Sequence, residues 1–205
     1  MTRASSPETD LIELLSRPNP KSAAIAAILD DLSIGDRILA VRSLSGRRLQ
    51  RTLWNAVADA PRVITSDFVP GSYAPMKPVV FHGKNSLPVF SEFRKICCRP
   101  SSGVADLLWG YNDTTLIPLI GPGYYVVHDT PDSPLGGCAF DYTQLPHDRA
   151  SGWPEIRPND RRLSRFVYNG TIDYMRRVAD EVFIGSATRS GRELGSYFVL
   201  ARELG

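Results

Sequence analysis

The prolines of this chain divide it into two unlike parts. Except for Pro7, Pro18 and Pro20, every proline lies between Pro61 and Pro158. A proline inside a helix removes a backbone donor and clashes with the preceding turn, so helices of ordinary length cannot occupy that stretch. Residues 62–205 are therefore predicted to be built mainly of strands.

Before Pro61 the apolar residues recur at helical spacing. Ile25, Ile28 and Leu32 share one face of a predicted helix over residues 21–32. Ser33 is placed to cap the next helix, because Asp36 follows it three residues later. Further helices are predicted over residues 10–16, 34–44 and 47–60.

After Pro61 the apolar runs are short and rich in β-branched and aromatic residues, which is typical of strands. Residues 124–129 and 138–143 are predicted to pair with each other. Residues 88–97 are predicted as one short helix, because Val89, Phe93 and Ile96 share a helical face. For residues 171–178 the sequence is compatible with either a strand or a helix. Other strands are predicted over residues 63–68, 78–82, 107–111, 182–188 and 196–203.

Helices followed by strands indicate an α+β fold. We expect a helical N-terminal segment, residues 1–61, packed on a strongly curled, mostly antiparallel sheet or barrel, residues 62–205. The two parts are expected to unfold as one cooperative unit, because the apolar faces of the helices need a partner surface.

Composition excludes several classes of protein. The formal net charge is only +2, so no nucleic-acid partner is expected. Arginines cluster between Arg37 and Arg51, but acidic neighbours dilute them, and a solvated helical face is the preferred interpretation. No apolar run is long enough to span a membrane, and residues 1–7 contain no signal-like apolar stretch. The odd cysteine count, with Cys97 and Cys98 adjacent, favours reduced thiols in a cytoplasmic protein.

Familiar catalytic and cofactor motifs are absent from the sequence. It has no phosphate-binding glycine loop, no dinucleotide fingerprint, no nucleophile elbow and no zinc-protease motif. His82, His128 and His147 lack metal-ligand spacing, so neither a metal nor a cofactor is expected.

Four polar clusters stand on an apolar background. The densest is Phe81-His-Gly-Lys-Asn85, which is either a solvated strand end or a cation and an imidazole at a pocket mouth. Trp109 and Tyr111 would share a strand face and could line a cavity. Asp141 and Tyr142 would point to opposite faces of another strand. Asp173 and Arg177 either pair along a helix or face the polar interior of a curled sheet.

Part of the sequence resembles a known family. The pattern Tyr168-x4-Asp173-Tyr-x-Arg-x-Val178, then Asp180-x-Val-x-Ile-Gly185 and Tyr197-Phe-x-Leu200, together with Phe81-His-Gly-Lys84, resembles the GXWXG family of small proteins. The resemblance rests mainly on residues 79–84 and 165–203, and Trp54 lacks the glycines of the family's name-giving motif. It implies a lipocalin-like β-barrel around an apolar cavity.

Two functions are compatible with such a barrel. The first is binding of a hydrophobic small molecule, fatty-acid-, polyketide- or terpenoid-like, as in secondary metabolism. Lys84 or Arg176 would anchor a carboxylate, and aromatic side chains would form the walls: Phe81, Trp109, Tyr111, Tyr125, Phe140 and Tyr142.

The second is a cofactor-independent isomerase, cyclase or hydrolase that uses the same pocket. His82, Asp173 and His128 are its expected catalytic residues, with His82 the preferred base because an unperturbed imidazole titrates near neutrality. Lys84, Asp113 and Asp141 complete the wider acid–base set. A homodimer, and a protein partner for the helical segment, also stay open.

Overall fold

The computed structural model describes residues 6–88, 91–104, 106–161 and 163–203. Four helices occupy the first part of the chain: α1 (Pro7–Ser16), α2 (Ser22–Asp30), α3 (Ile34–Ser43) and α4 (Arg47–Ala56). Ser33 caps α3 as its spacing predicts, because its hydroxyl accepts a hydrogen bond from the Asp36 backbone amide at 3.2 Å. Three single-turn helices follow later in the chain: α5 (Thr65–Phe68), α6 (Ile117–Ile120) and α7 (Ser164–Val167).

The second part of the chain forms a closed eight-stranded barrel. Each strand pairs antiparallel with the next along the chain, and the last strand pairs with the first. The predicted antiparallel barrel is thereby confirmed. The strands are β1 (Val79–Asn85), β2 (Glu92–Cys98), β3 (Leu107–Asp113), β4 (Tyr125–Asp129), β5 (Cys138–Asp141), β6 (Thr171–Ala179), β7 (Val182–Arg189) and β8 (Arg192–Glu203).

Some local predictions are confirmed and others are wrong. β4 and β5 pair as expected, and the open stretch 171–178 is a strand. The predicted helix at 88–97 is wrong, because residues 92–97 belong to strand β2, and its residues Val89 and Phe90 lie outside the described part of the chain. The predicted strand at 63–68 is wrong too, because residues 65–68 form the single turn α5.

The β7–β8 connection is shorter than the seven residues left between the predicted strands 182–188 and 196–203. Arg189 pairs directly with Arg192, which leaves a two-residue turn of Ser190 and Gly191. Both turn residues have positive φ, 50° and 76°. This backbone matches the right-handed twist of a two-residue hairpin, and a glycine at its second position adopts it without strain.

α5 closes one end of the barrel. The Phe68 ring is fully buried and lies 4.4 Å from the Phe183 ring and 5.2 Å from the Phe140 ring, measured between centroids. The Arg202 guanidinium, from the end of β8, donates to the carbonyl oxygen of Phe68 at 3.3 Å and pairs with Glu181. Aromatic packing and the contacts of the Arg202 guanidinium therefore hold α5 in this end of the barrel.

Helices cover the outer face of β6, β7 and β8. Ile25 and Leu29 of α2 and Leu53 of α4 are fully buried there, in one apolar cluster with Ile184 and Val199 of the barrel wall. Burying each such side chain contributes about 1.5–3 kcal/mol. The barrel therefore has apolar residues on both faces of these strands.

The described residues include no helix that is long and apolar enough to cross a membrane. Cys97, Cys98 and Cys138 are buried free thiols.

Candidate ligand-binding site

The barrel is open at the end opposite α5, and a cavity of about 550 Å³ enters it there. The β1–β2 connection, α6 and α7 surround the mouth. Most of the lining is apolar, and this volume falls within the range of small-molecule sites. The lining includes the side chains of Phe93, Lys95, Asn112, Tyr142, Asp173 and Phe198.

Four polar side chains meet at the inner part of this cavity. Lys95 of β2 is 1% exposed, and its Nζ lies 3.6 Å from Oδ2 of Asp173 on β6. The same ammonium donates to Asn112 Oδ1 at 3.1 Å and to the Tyr142 hydroxyl. Asn112 is fixed in turn, because its Nδ2 donates to the Gly123 carbonyl at 3.0 Å. We call these residues, Lys95, Asn112, Tyr142 and Asp173, the polar cluster.

Aromatic rings enclose the Lys95 ammonium. Five ring centroids lie within 6 Å of Nζ, a distance at which the electron-rich face of a ring attracts a cation. The distances are 4.7 Å to Tyr125, 4.9 Å to Phe198, 5.0 Å to Phe140, 5.0 Å to Tyr142 and 5.9 Å to Phe93.

Glycines in the strands make room for these rings. A Cβ added at Gly185 would lie 2.2 Å from the Phe198 ring, and one added at Gly110 would lie 2.5 Å from the Tyr125 ring. Such separations are far below van der Waals contact. The two rings therefore occupy space that a side chain at either glycine would fill, and both lie within 5 Å of Lys95 Nζ.

Burial disfavours charge on both members of the ion pair. It lowers the pKa of Lys95, although the Asp173 carboxylate and the Cys97 thiol act in the opposite direction. It also raises the pKa of Asp173, against the effect of Lys95 and of a hydrogen bond with Tyr142. The Tyr142 pKa is likewise raised well above its usual value, first by burial. The pair is electrically neutral as a whole, whichever member holds the shared proton.

Several predicted residues do face the barrel interior. Tyr125, Phe140 and Tyr142 surround Lys95, and Asp173 is its ion partner. Phe81 also points inward, but it lies near the closed end, 5.8 Å from the Phe68 ring. Phe81 therefore belongs to the plugged half of the barrel and does not line the cavity.

Lys84 and His82 lie on the outer face of β1, contrary to the expectation that they stand at the cavity. Strand alternation turns Gly83 inward, against Phe93, and turns its two neighbours outward. Lys84 Nζ lies 3.6 Å from Glu92 Oε1, and His82 Nε2 lies 2.8 Å from Glu203 Oε2. His82 Nδ1 also accepts from Arg42 of α3 at 3.4 Å. His82 thus joins β1 to α3, and Lys84 pairs across to β2.

Trp109 and Tyr111 also point outward, which differs from their expected place in the cavity wall. They belong to an apolar cluster on the outer face of β2–β4, covered by the chain segment that contains Trp153. The Tyr111 and Trp153 ring centroids are 5.0 Å apart. The inward positions of β3 are occupied by Leu108, Gly110 and Asn112 instead.

His128 and Asp141 form a pair on the outer wall, away from the cavity. His128 Nε2 lies 3.9 Å from Asp141 Oδ2. Burial alone would raise the pKa of Asp141, but hydrogen bonds from His128, Thr143 and Gln144 more than offset it and lower that pKa. Asp113 is paired with Arg94 at the strand ends. Of the predicted acid–base residues, Asp173 alone lines the cavity formed by the described residues.

Arg176, the second expected anchor, faces the helices. Its guanidinium lies 3.9 Å from the centre of the Trp54 ring and donates to the Trp54 carbonyl at 2.9 Å and the Leu135 carbonyl at 3.0 Å. These contacts join α4, the β4–β5 connection and β6.

Replacing Arg176 with Met should therefore lower the free energy of unfolding by about 1–2 kcal/mol, because the ring contact and the hydrogen bonds from a charged group are lost. Ligand affinity should not change, since Arg176 does not line the cavity. Denaturant unfolding and ligand titration of the same variant measure both quantities. Weaker binding at unchanged stability would show that Arg176 acts as the anchor after all.

The sequence reasoning missed Lys95 and Asn112. Lys95 falls in Glu92-Phe-Arg-Lys-Ile-Cys-Cys98, where alternation places Phe93, Lys95 and Cys97 on one face. A lysine between two apolar residues on a single strand face was the available signal. The mistaken helix at 88–97 concealed it.

Comparison with protein-family models, with curated proteins and with solved structures finds no match for this chain. In the described part of the chain, no group of three or more His, Cys, Asp and Glu side chains is arranged to hold a metal ion.

Proposed function

We propose that the protein binds an apolar small molecule in the open half of the barrel, with a neutral oxygen-bearing end group directed at the polar cluster. The observation that carries this proposal is the polar cluster itself, at the inner part of a cavity whose lining is mostly apolar. A ligand oxygen can accept a hydrogen bond from Lys95 or Tyr142, and the apolar wall contacts the remainder of the ligand.

Charge favours a neutral end group over a carboxylate. Asp173 already balances Lys95, so a buried carboxylate would add an uncompensated negative charge. Arg189 is a cation that could pair with a carboxylate, but it lies at the mouth, where it donates to Thr171 Oγ1 at 3.2 Å, and not at the polar cluster. Polyketide- and terpenoid-like ketones, aldehydes and alcohols therefore match the inner cavity better than fatty acids do.

We also propose the lipocalin-like character that the GXWXG resemblance implies, and the closed antiparallel barrel with an internal cavity supports it. A cytoplasmic location is supported by the three free buried thiols.

Decanol should bind more tightly than decanoate in titration calorimetry on the wild-type protein. The double variant Lys95→Met/Asp173→Asn removes both charges together, and decanol affinity should fall about tenfold to a hundredfold, as expected for the loss of a charge-assisted hydrogen bond. Lys84→Met is the matched control, because Lys84 lies on the outer face, and it should leave the affinity unchanged.

Decanoate binding that exceeds decanol binding and weakens in Lys84→Met would place the ligand elsewhere and contradict the proposal. Absence of binding by both compounds would also contradict the proposal.

A cofactor-independent enzyme is the second candidate, and the convergence of Lys95, Tyr142 and Asp173 on one cavity favours it. The acid–base set would then be these three residues in place of His82 and His128. Turnover would appear as exchange of the α hydrogens of decanal for deuterium in heavy water, and Asp173→Asn should abolish it. Decanal recovered unexchanged supports binding alone.

A further inference from the structure

We propose that the Lys95 amine forms a covalent imine with the carbonyl group of an apolar aldehyde or ketone held in the cavity. This inference rests on the proposed function and names the ligand class more narrowly. A lysine amine is the side chain that condenses with carbonyl compounds, and a desolvated pocket is the setting in which it does so.

Lys95 is placed differently from the other lysines of the chain. Lys21 and Lys77 are exposed, and Lys84 is on the outer face of β1. Lys95 is buried at the inner part of an apolar cavity, where a carbonyl end group would arrive. Tyr142, within hydrogen-bond reach of Nζ, can donate to the carbonyl oxygen of the arriving ligand.

The cluster can supply the neutral amine that the reaction needs. Moving one proton from Lys95 to Asp173, across 3.6 Å, leaves the net charge of the pair at zero. No proton has to be exchanged with solvent. Burial favours the neutral form of both groups, which supports this proton position.

The reaction balances without an outside reagent. The Nζ lone pair forms a bond to the carbonyl carbon, and the carbonyl oxygen takes the proton from Asp173. The nitrogen then returns one proton to Asp173. The hydroxyl accepts that proton and leaves as water while the C=N bond forms. Nothing is oxidised or reduced, and the products are one water molecule and a protonated imine beside the Asp173 carboxylate.

The surroundings of Lys95 suit the product as well as the free ammonium. The protonated imine would carry the same single positive charge beside the same carboxylate. Aromatic faces at 4.7 Å from Tyr125 and 4.9 Å from Phe198 stabilise a cation at that point. The cavity therefore needs no new charge partner when the covalent bond forms.

The test treats the wild-type protein with limiting decanal, followed by borohydride, which reduces the imine to a stable amine. Intact mass should rise by the mass of decanal less one oxygen atom, and peptide mapping should place the addition on Lys95 ahead of Lys21 and Lys77. Excess decanol should suppress the labelling by occupying the cavity. Lys95→Met/Asp173→Asn should lose this adduct, whereas Lys84→Met should keep it.

Labelling confined to Lys21 and Lys77, in protein that binds decanol, would overturn the imine and leave the proposed function standing. The peptide map of the wild-type protein distinguishes these outcomes even where the double variant is poorly folded. Absence of both decanol binding and Lys95 labelling would overturn the imine and the proposed function together.

Discussion

Replacing Lys95 with Met should lower the free energy of unfolding by about 3–5 kcal/mol at neutral pH, because it leaves a buried carboxylate without its partner. Asp173 is 5% exposed and would keep only neutral hydrogen-bond partners. Methionine fills most of the lysine volume among the aromatic rings, so the loss reflects charge more than a cavity. Denaturant unfolding at several pH values measures the effect.

The deficit of Lys95→Met should depend on pH in a defined direction. The pKa of Asp173 is already raised in the folded protein, first by burial, and loss of Lys95 raises it further. A carboxyl group whose pKa is higher folded than unfolded makes the folded state bind more protons, so stability falls as pH rises between the two values. The deficit should be small near pH 4, about the pKa of an unfolded aspartate, and grow toward neutrality.

Two variants give this prediction its controls. Lys95→Met/Asp173→Asn should recover most of the lost stability, because no charge is then left buried. Lys84→Met breaks a pair with the half-exposed Glu92 and should change stability by about 1 kcal/mol or less. A Lys95→Met deficit that is the same at pH 4 and pH 8 would contradict the assigned role of Asp173.

Replacing Phe68 with Ala should cost about 3–5 kcal/mol, the usual range for truncating a fully buried phenylalanine. The ring fills the closed end of the barrel between Phe81, Phe140 and Phe183, and neighbouring strands cannot collapse into the space. The same unfolding experiment measures this loss.

Phe166→Ala serves as the matched control, since Phe166 in α7 is 62% exposed at the open mouth. Its stability should change by about 0.5 kcal/mol or less. A mild effect of Phe68→Ala, equal to that of Phe166→Ala, would show that α5 does not plug the barrel in solution.

The barrel was predictable from the sequence because its strands obey local rules. The prolines exclude long helices. The short runs of β-branched and aromatic residues between them indicate the strands of the barrel wall. Where a charged residue faces inward, the same rules fail. Lys95 interrupts the apolar inward face of β2, and the helical spacing of Val89, Phe93 and Ile96 predicted a helix there instead. In β6 the inward Asp173 stands four residues before Arg177, a spacing that also fits a helix, so residues 171–178 stayed open.

The candidate site was predictable only in part, because strand alternation fixes relative faces and not which face is inside. Tyr142 and Asp173 were expected near the cavity and line it, whereas Lys84, Trp109 and Tyr111 lie on the opposite side of the wall. Helices cover this barrel on one flank and an irregular segment covers it on another. Outward positions are therefore as apolar as inward ones, and hydrophobicity does not distinguish the two.

Because of the contact between Gly185 and the Phe198 ring, the size of the cavity can change independently of the polar groups that would contact a ligand. Gly185 does not line the cavity, yet a single methyl group there would have to push the Phe198 ring out of its present position, where it both lines the cavity and faces the Lys95 ammonium. The room available to a ligand is therefore controlled by an inward-facing position of the adjacent strand, which lies against the Phe198 ring. Changes at such positions can alter the size of the accepted molecule while every polar contact with it is kept.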